Sequence, residues 1–268
     1  MKRILSATVL VTVVFLVTRY LPPAAFALMI VSLTVLSVVE FGWLARRRGF
    51  APQIWSACAG SVLITFSFFH PAIDVTETLV LMVVALSLLA LVRQDSPDQK
   101  FVNLVMTLLP VLFLGVLLGF LVALRMLPGP DGHDLPFLLL LVVAAADTGA
   151  YYGGRLLGRH HLAPHLSPGK TVEGFLVGIV SAVAAAFLAR AWFIYRLPAR
   201  DCIILGIGLA VIGCGGDLVE SALKRWVGAK DSSGLIPGHG GILDRIDALI
   251  FTAPVLFYYH LQFMRVLT

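Results

Sequence analysis

Between Asp217 and Asp247 this chain gathers Glu220, Lys224, Arg225, Lys230, Asp231, Asp244 and Arg245, together with Ser221, His239, Gly240 and Gly241, in a sequence that is otherwise mostly apolar. Charge placed beside lipid is costly, so such a cluster marks a functional site. The mixture suits holding a polyphosphate and metal ions against a membrane face. Asp217, Glu220, Ser221 and Lys224 stand at i, i+3, i+4 and i+7, which puts them on one face of a helix. Asp217 falls about one turn inside the expected membrane edge, where a carboxylate must be paired, hydrated or bound to metal. Gly213, Gly215 and Gly216 precede it, and small residues let a second helix or a ligand come close. Gly238, His239, Gly240 and Gly241 form a loop whose backbone N–H groups can cradle phosphate oxygens. Asp244 and Asp247 share a face at the start of the next helix, where acids also act as plain caps. Carboxylates from two helices can bracket a cation, and magnesium takes one or two carboxylates plus substrate phosphates.

The elements that position these groups are predicted to cross a membrane. The chain has 268 residues, 59% of them hydrophobic and 13% charged, with a mean hydropathy of +0.95. Soluble domains carry about 25% charged residues. A basic balance of +5 and a pI near 9.3 invite a nucleic-acid reading. That reading needs a basic face on a soluble fold, whereas here the cations lie between apolar segments, so lipid headgroups and anionic substrates are expected and nucleic acid is not. Cys58, Cys202 and Cys214 all lie in apolar stretches and give neither a disulfide framework nor a zinc site.

Hydrophobic runs and turn residues predict an all-α, polytopic membrane protein with about nine transmembrane helices, over 4–20, 24–45, 52–69, 76–93, 101–124, 135–154, 172–195, 201–222 and 246–264. The whole chain, 1–268, is expected to form a single catalytic domain, with 1–134 mainly scaffold and 135–268 carrying the motifs. Lys2 and Arg3 before an apolar run imitate a secretory leader, but apolar sequence resumes at once through Val39, which favours an uncleaved span. With the N-terminus inside, the inner segments hold fourteen of the 20 Lys and Arg. This places both long polar loops, 155–171 and 223–245, on the cytoplasmic side of the inner membrane.

The stretch from Ser221 to Asp247 resembles the signature of the phosphatidate cytidylyltransferases, or CDP-diacylglycerol synthases. The signature positions are filled by Ser221, Lys224, Arg225, Lys230, Asp231, Pro237, His239, Gly240, Gly241, Asp244, Arg245 and Asp247. A match of this length is far more specific than a lone glycine motif. A second block, Asp147 to Tyr151 with Gly154, Arg155, Gly158 and Arg159, then Ser167 to Gly174, is similar to the upstream block of that family; Gly169 stands where the family often has a second lysine.

The resemblance implies a reaction: CTP and phosphatidic acid give CDP-diacylglycerol and pyrophosphate, with Mg2+ and a second cation, K+ or another Mg2+, in a membrane homodimer. Both reactants are anions, so metal ions and fixed cations are what the reaction needs. Asp217, Lys224 and Asp244 are the expected catalytic residues, and Asp217, Asp244 and Asp247 the expected metal ligands. Lys224, Arg225, Lys230 and Arg245 are expected to neutralise phosphates, Gly240 and Gly241 to give backbone donors, and Asp231 to serve the substrate or a metal. Lys170, with Ser167 and Thr171, sits at a helix start suited to phosphate. Asp147, about 12 Å deep at 1.5 Å per residue, is expected to help with metal or to orient a lysine. His239 is either an acid for the departing pyrophosphate or a shaper of the glycine turn. His160, His161 and His165 read as a solvated loop, and Glu40 as an interfacial partner of Arg46, Arg47 and Arg48. Two other functions fit the same residues: a CTP-dependent polyprenol kinase or related CDP-lipid synthase, and a cation-coupled secondary transporter using Asp147, Asp217 and Asp244.

Overall fold

The computed structural model describes residues 13–229, 231–234 and 240–264. These residues are almost wholly helical. After a helix over 13–20 (α1) come α2 (Pro23–Arg47), α3 (Ile54–Ser67), α4 (Val75–Leu91), α5 (Pro97–Pro110) and α6 (Leu117–Arg125). They are followed by α7 (Asp131–Leu157), α8 (Val172–Trp192), α9 (Ala199–Trp226) and α10 (Leu243–Tyr259). Helix starts follow local chemistry. Asp74 accepts from Glu77 N, Ser96 from Gln99 N and Thr171 from Gly174 N, each satisfying an orphan first-turn donor. Pro110 lacks an N–H to continue the ladder, and the chain passes through a π-helical turn over Val111–Val116 before α6 resumes.

Among the described residues, five helices are long and apolar enough to cross a membrane: Pro23–Arg47, the continuous run Pro97–Arg125, Asp131–Leu157, Val172–Trp192 and Ala199–Trp226. The apolar helices Ile54–Ser67 and Val75–Leu91 are shorter, with 14 and 17 residues. Part of the first expected span lies outside the described residues. The polar stretch expected as a loop over 155–171 is more ordered than that. α7 runs on to Leu157, and His161–Ala163 pairs antiparallel with Ser167–Thr171 as a small hairpin leading into α8.

The chain forms two compact units. One comprises the described residues of Met1–Met126 and Trp226–Arg245; the other those of Leu127–Arg225 and Ile246–Thr268. In the first, Leu44, Ile64, Leu114, Leu118 and Leu124 are fully buried. Arg48 Nε donates to Trp226 O at 2.6 Å and stacks over that indole, which lies flat on Phe50. In the second, α7 and α8 pack along most of their length because Gly174 lets α8 touch the α7 backbone: a Cβ there meets Ala150 O at 2.6 Å. Leu135, Leu138, Leu139, Leu209 and Leu256 fill that unit's core. Where α7 and α9 begin and α10 ends, Arg196 pairs with Asp131, and Tyr259 Oη donates to Asp201 at 3.0 Å.

Candidate active site

α9 presents Asp217, Glu220, Ser221 and Lys224 on one face, as their spacing requires. Gly216 lets α10 approach that face: a Cβ at 216 meets Asp247 O at 2.7 Å and the Phe251 ring at 2.6 Å. The close crossing brings a third acid in. Carboxylate oxygens of Asp217, Glu220 and Asp247 all lie within 4.8 Å of one another. Glu220 is buried, and the two aspartates are half-buried.

Two lysines reach this group. Lys170, at the end of the hairpin, has Nζ 2.6 Å from Asp217 Oδ2 and 3.9 Å from Cys214 Sγ. Lys224 Nζ is 2.5 Å from Glu220 Oε2, one turn along α9. Ser221 Oγ donates to Asp217 Oδ1 at 3.3 Å. Three carboxylates thus face two ammonium groups. Carboxylates this close repel when ionised, and a bound cation removes that repulsion. The donors are carboxylate and hydroxyl oxygens, the ligand set of a hard divalent ion such as magnesium. Asp217, Glu220 and Asp247 therefore fit a Mg2+ site, with Lys170 and Lys224 each ion-paired to one of its carboxylates.

Other expected site residues sit as follows. Asp147 is exposed on α7. Arg225 is exposed, and its Nε donates to Leu166 O at 3.2 Å, which ties the end of α9 to the hairpin turn. Asp231 and Arg245 are exposed. Lys230 and His239 lie outside the described residues. His161 and His165 are exposed on the hairpin, and His160 Nδ1 is 2.5 Å from Glu173 Oε1.

Asp244 belongs to the other unit and has work there. Its Oδ2 accepts from Ser232 N at 3.0 Å, Ser232 Oγ at 3.0 Å and Gly241 N at 2.8 Å. Reaching back three residues to a backbone N–H is what the acid of a capping box does. The Gly241 N–H, expected as a phosphate donor, is therefore engaged by Asp244. Gly240 takes a positive φ of 79°, which only a residue without Cβ adopts at little cost.

Two residues were missed by sequence reasoning. Glu220 was visible on the Asp217 face but was not assigned to the metal. Glu40 was expected to pair with Arg46, Arg47 and Arg48. Instead it is fully buried, and its carboxylate accepts hydrogen bonds from Ser232, Ser233, Ile242 and Leu243. The available signal was that Glu40 is the one acid in the 25 residues of α2.

Residues 1–263 match the profile of a family described as the cytidylyltransferase family. A phosphatidate cytidylyltransferase of Haemophilus influenzae is 32% identical over 286 aligned positions, covering 97% of this chain and 98% of that one. Proteins of the same name from Staphylococcus haemolyticus and Bacillus subtilis are 38% and 39% identical. These two matches cover 59% and 56% of this chain, and the chain spans 59% and 55% of those relatives' own length. A match along nearly the whole sequence means that the chain belongs to the cytidylyltransferase family.

Proposed function

We propose that this protein is a phosphatidate cytidylyltransferase. A phosphate oxygen of phosphatidic acid bonds to the α-phosphorus of CTP, the bond from that phosphorus to the β-phosphate oxygen breaks, and CDP-diacylglycerol and pyrophosphate form. The observation that carries this reading is the group of Asp217, Glu220 and Asp247 with Lys170 and Lys224 against it, in a chain of this family.

Within this reading Asp217, Glu220 and Asp247 hold the magnesium. Magnesium held by these three carboxylates would supply positive charge against the triphosphate and the transition state. Lys170 and Lys224 exchange their carboxylate partners for phosphate oxygens as CTP arrives. Ser221 fixes the rotamer of Asp217 through its hydrogen bond. No general base is needed, because the lipid phosphate is already ionised near neutral pH. Positioning and electrostatics supply the rate, as in phosphoryl transfer generally. Asp244 holds Ser232 and Gly241; its further role as a metal ligand, with K+ or a second Mg2+ as the other cation, rests on the family signature. Asp147, Arg225, Lys230, Asp231, His239, Gly240 and Arg245 serve the two substrates. An open apolar groove of about 640 Å³ along α7 and α8, lined by Leu141, Ala145, Tyr152, Leu156 and Val177, supports a seat for acyl chains. We further propose nine spans in the inner membrane, both polar loops facing the cytoplasm where CTP is found, and a homodimer.

The test uses purified protein in micelles with phosphatidate, magnesium and CTP labelled at the α- or the γ-phosphorus. Label in the lipid from the α position, with release of pyrophosphate, is the expected result. Label from the γ position alone would assign a lipid kinase instead. Absence of any labelled lipid would leave transport as the rival.

A further inference from the structure

Glu40 stands alone among the acids of its helix. It lies well inside an apolar span, is fully buried, and each of its oxygens accepts two hydrogen bonds. Oε1 accepts from Ser233 Oγ at 2.6 Å and Ile242 N at 2.9 Å. Oε2 accepts from Ser232 Oγ at 2.9 Å and Leu243 N at 2.9 Å. All four donors belong to the signature segment, some two hundred positions away in sequence. Two are backbone N–H groups at the start of α10, which have no partner within the helix itself. A carboxylate from α2 therefore supplies the cap that α10 lacks locally.

The fit leaves no slack. A Cβ on Gly241 meets both Glu40 oxygens, at 2.5 and 2.6 Å, and also the Ser232 hydroxyl. That hydroxyl lies 2.9 Å from Glu40 and 3.0 Å from Asp244, so one proton serves two carboxylates and couples their positions. Asp244 in turn fixes Gly241 N. Glu40, Ser232 and Asp244 thus form a chain of contacts that sets where Asp244, Arg245 and the first turn of α10 stand.

We infer that Glu40 is a positioning residue for the nucleotidyl transfer. It never meets substrate; it holds the signature loop and the head of α10 in the geometry that the reaction uses. This rests on the cytidylyltransferase reading, and two separate readouts keep the two claims apart. The first is hydrogen–deuterium exchange of the peptide covering 240–245, compared between the native protein and Glu40→Gln. The amide puts a donor where a carboxylate oxygen had accepted two hydrogen bonds. Exchange in that peptide should rise at least tenfold while peptides of α7 and α8 stay unchanged. The second is steady-state kinetics per folded molecule. In Glu40→Gln, kcat for CDP-lipid formation should fall about tenfold with KM for CTP changed less than threefold, and Glu40→Asp should restore part of the loss. If Glu40→Gln does not fold, Ser233→Ala, which removes one of the four hydrogen bonds, should show the same kcat loss on a smaller scale. Unchanged exchange in the 240–245 peptide would overturn the anchor. Raised exchange with native kcat would overturn the positioning role and leave a structural cap. A native protein that forms no CDP-lipid would sink the functional reading alone, and the exchange result would still judge the anchor.

Discussion

Two sets of acids in this chain are handled in opposite ways. Glu40 and Asp244 accept hydrogen bonds from backbone N–H groups and serine hydroxyls of one segment. Asp217, Glu220 and Asp247 are surrounded by one another and by two lysines. Acceptors filled by backbone donors rigidify the chain, since exchanging them for water or ligand exposes amides that have nowhere else to bond. Crowded carboxylates held by flexible ammonium groups are the reverse. They store repulsion that a cation relieves, and each lysine can swing from carboxylate to phosphate without breaking secondary structure. The difference separates a crowded acidic cluster suited to a cation from acids that order the backbone, although both sets sit in apolar helices and look alike in sequence.

The comparison breaks most visibly at Asp217. Asp217→Asn should lower kcat by about 10²–10³-fold, the usual scale for losing one electrostatic stabiliser. Its melting temperature should hold or rise, since one charge leaves a crowded group; assay and thermal scan on the same sample check both. Glu40→Ala should behave oppositely, costing about 2–6 kcal/mol of stability because the two backbone N–H groups it leaves unmatched, those of Ile242 and Leu243, cost about 1–3 kcal/mol each, as read by denaturant unfolding in micelles. Gly241→Ala drives a methyl group into the Ser232 hydroxyl and the Glu40 carboxylate and should cost about 1–3 kcal/mol, with a smaller loss in the Glu40→Ala background, where one of these two obstacles is gone. Lys170→Met should raise KM for CTP about tenfold, the equivalent of about 1.4 kcal/mol, with little change in folding. A control lies outside both regions. Asp95 is half-buried in a loop, and the hydrogen bond from Arg93 at 2.7 Å holds its carboxyl below the usual range. A depressed acid stabilises above its ordinary pKa, near 3.9, and loses that contribution as pH falls through the lower folded value. Asp95→Asn should therefore leave turnover untouched and remove only a slight part of the acid sensitivity of unfolding.

Much of the catalytic half was legible because helical spacing is a local rule. The face of Asp217, Glu220, Ser221 and Lys224 follows from 3.6 residues per turn, and Gly216 advertised the close approach that brings Asp247 in. The signature block added Asp244, Lys170 and the glycines as residues to watch. What stayed hidden was non-local. Nothing near Glu40 in sequence announces a partner at Leu243, so its nearest cations, Arg46 to Arg48, looked like its natural company. The role of Asp244 was ambiguous for a related reason: a cap and a ligand want the same residue at the same place, and only the Ser232 and Gly241 hydrogen bonds distinguish them. The helices were found by hydropathy, but their lengths were not. α3 runs over Ile54–Ser67 where the apolar run implied 52–69, and α4 ends at Leu91 where the run implied 93. The hairpin at 161–171 escaped notice because its strands are too short and polar to show an alternating pattern.

The central claim is that Asp217, Glu220 and Asp247 hold the divalent ion that CTP needs. The most direct measurement is Mn2+ binding, followed by electron paramagnetic resonance, to native protein, Asp217→Asn, Asp247→Asn and Glu40→Gln, each folded and in micelles. The account predicts one tight site in the native protein, at least tenfold weaker in both aspartate variants and unchanged in Glu40→Gln. Native-like Mn2+ affinity in Asp217→Asn and Asp247→Asn would contradict it.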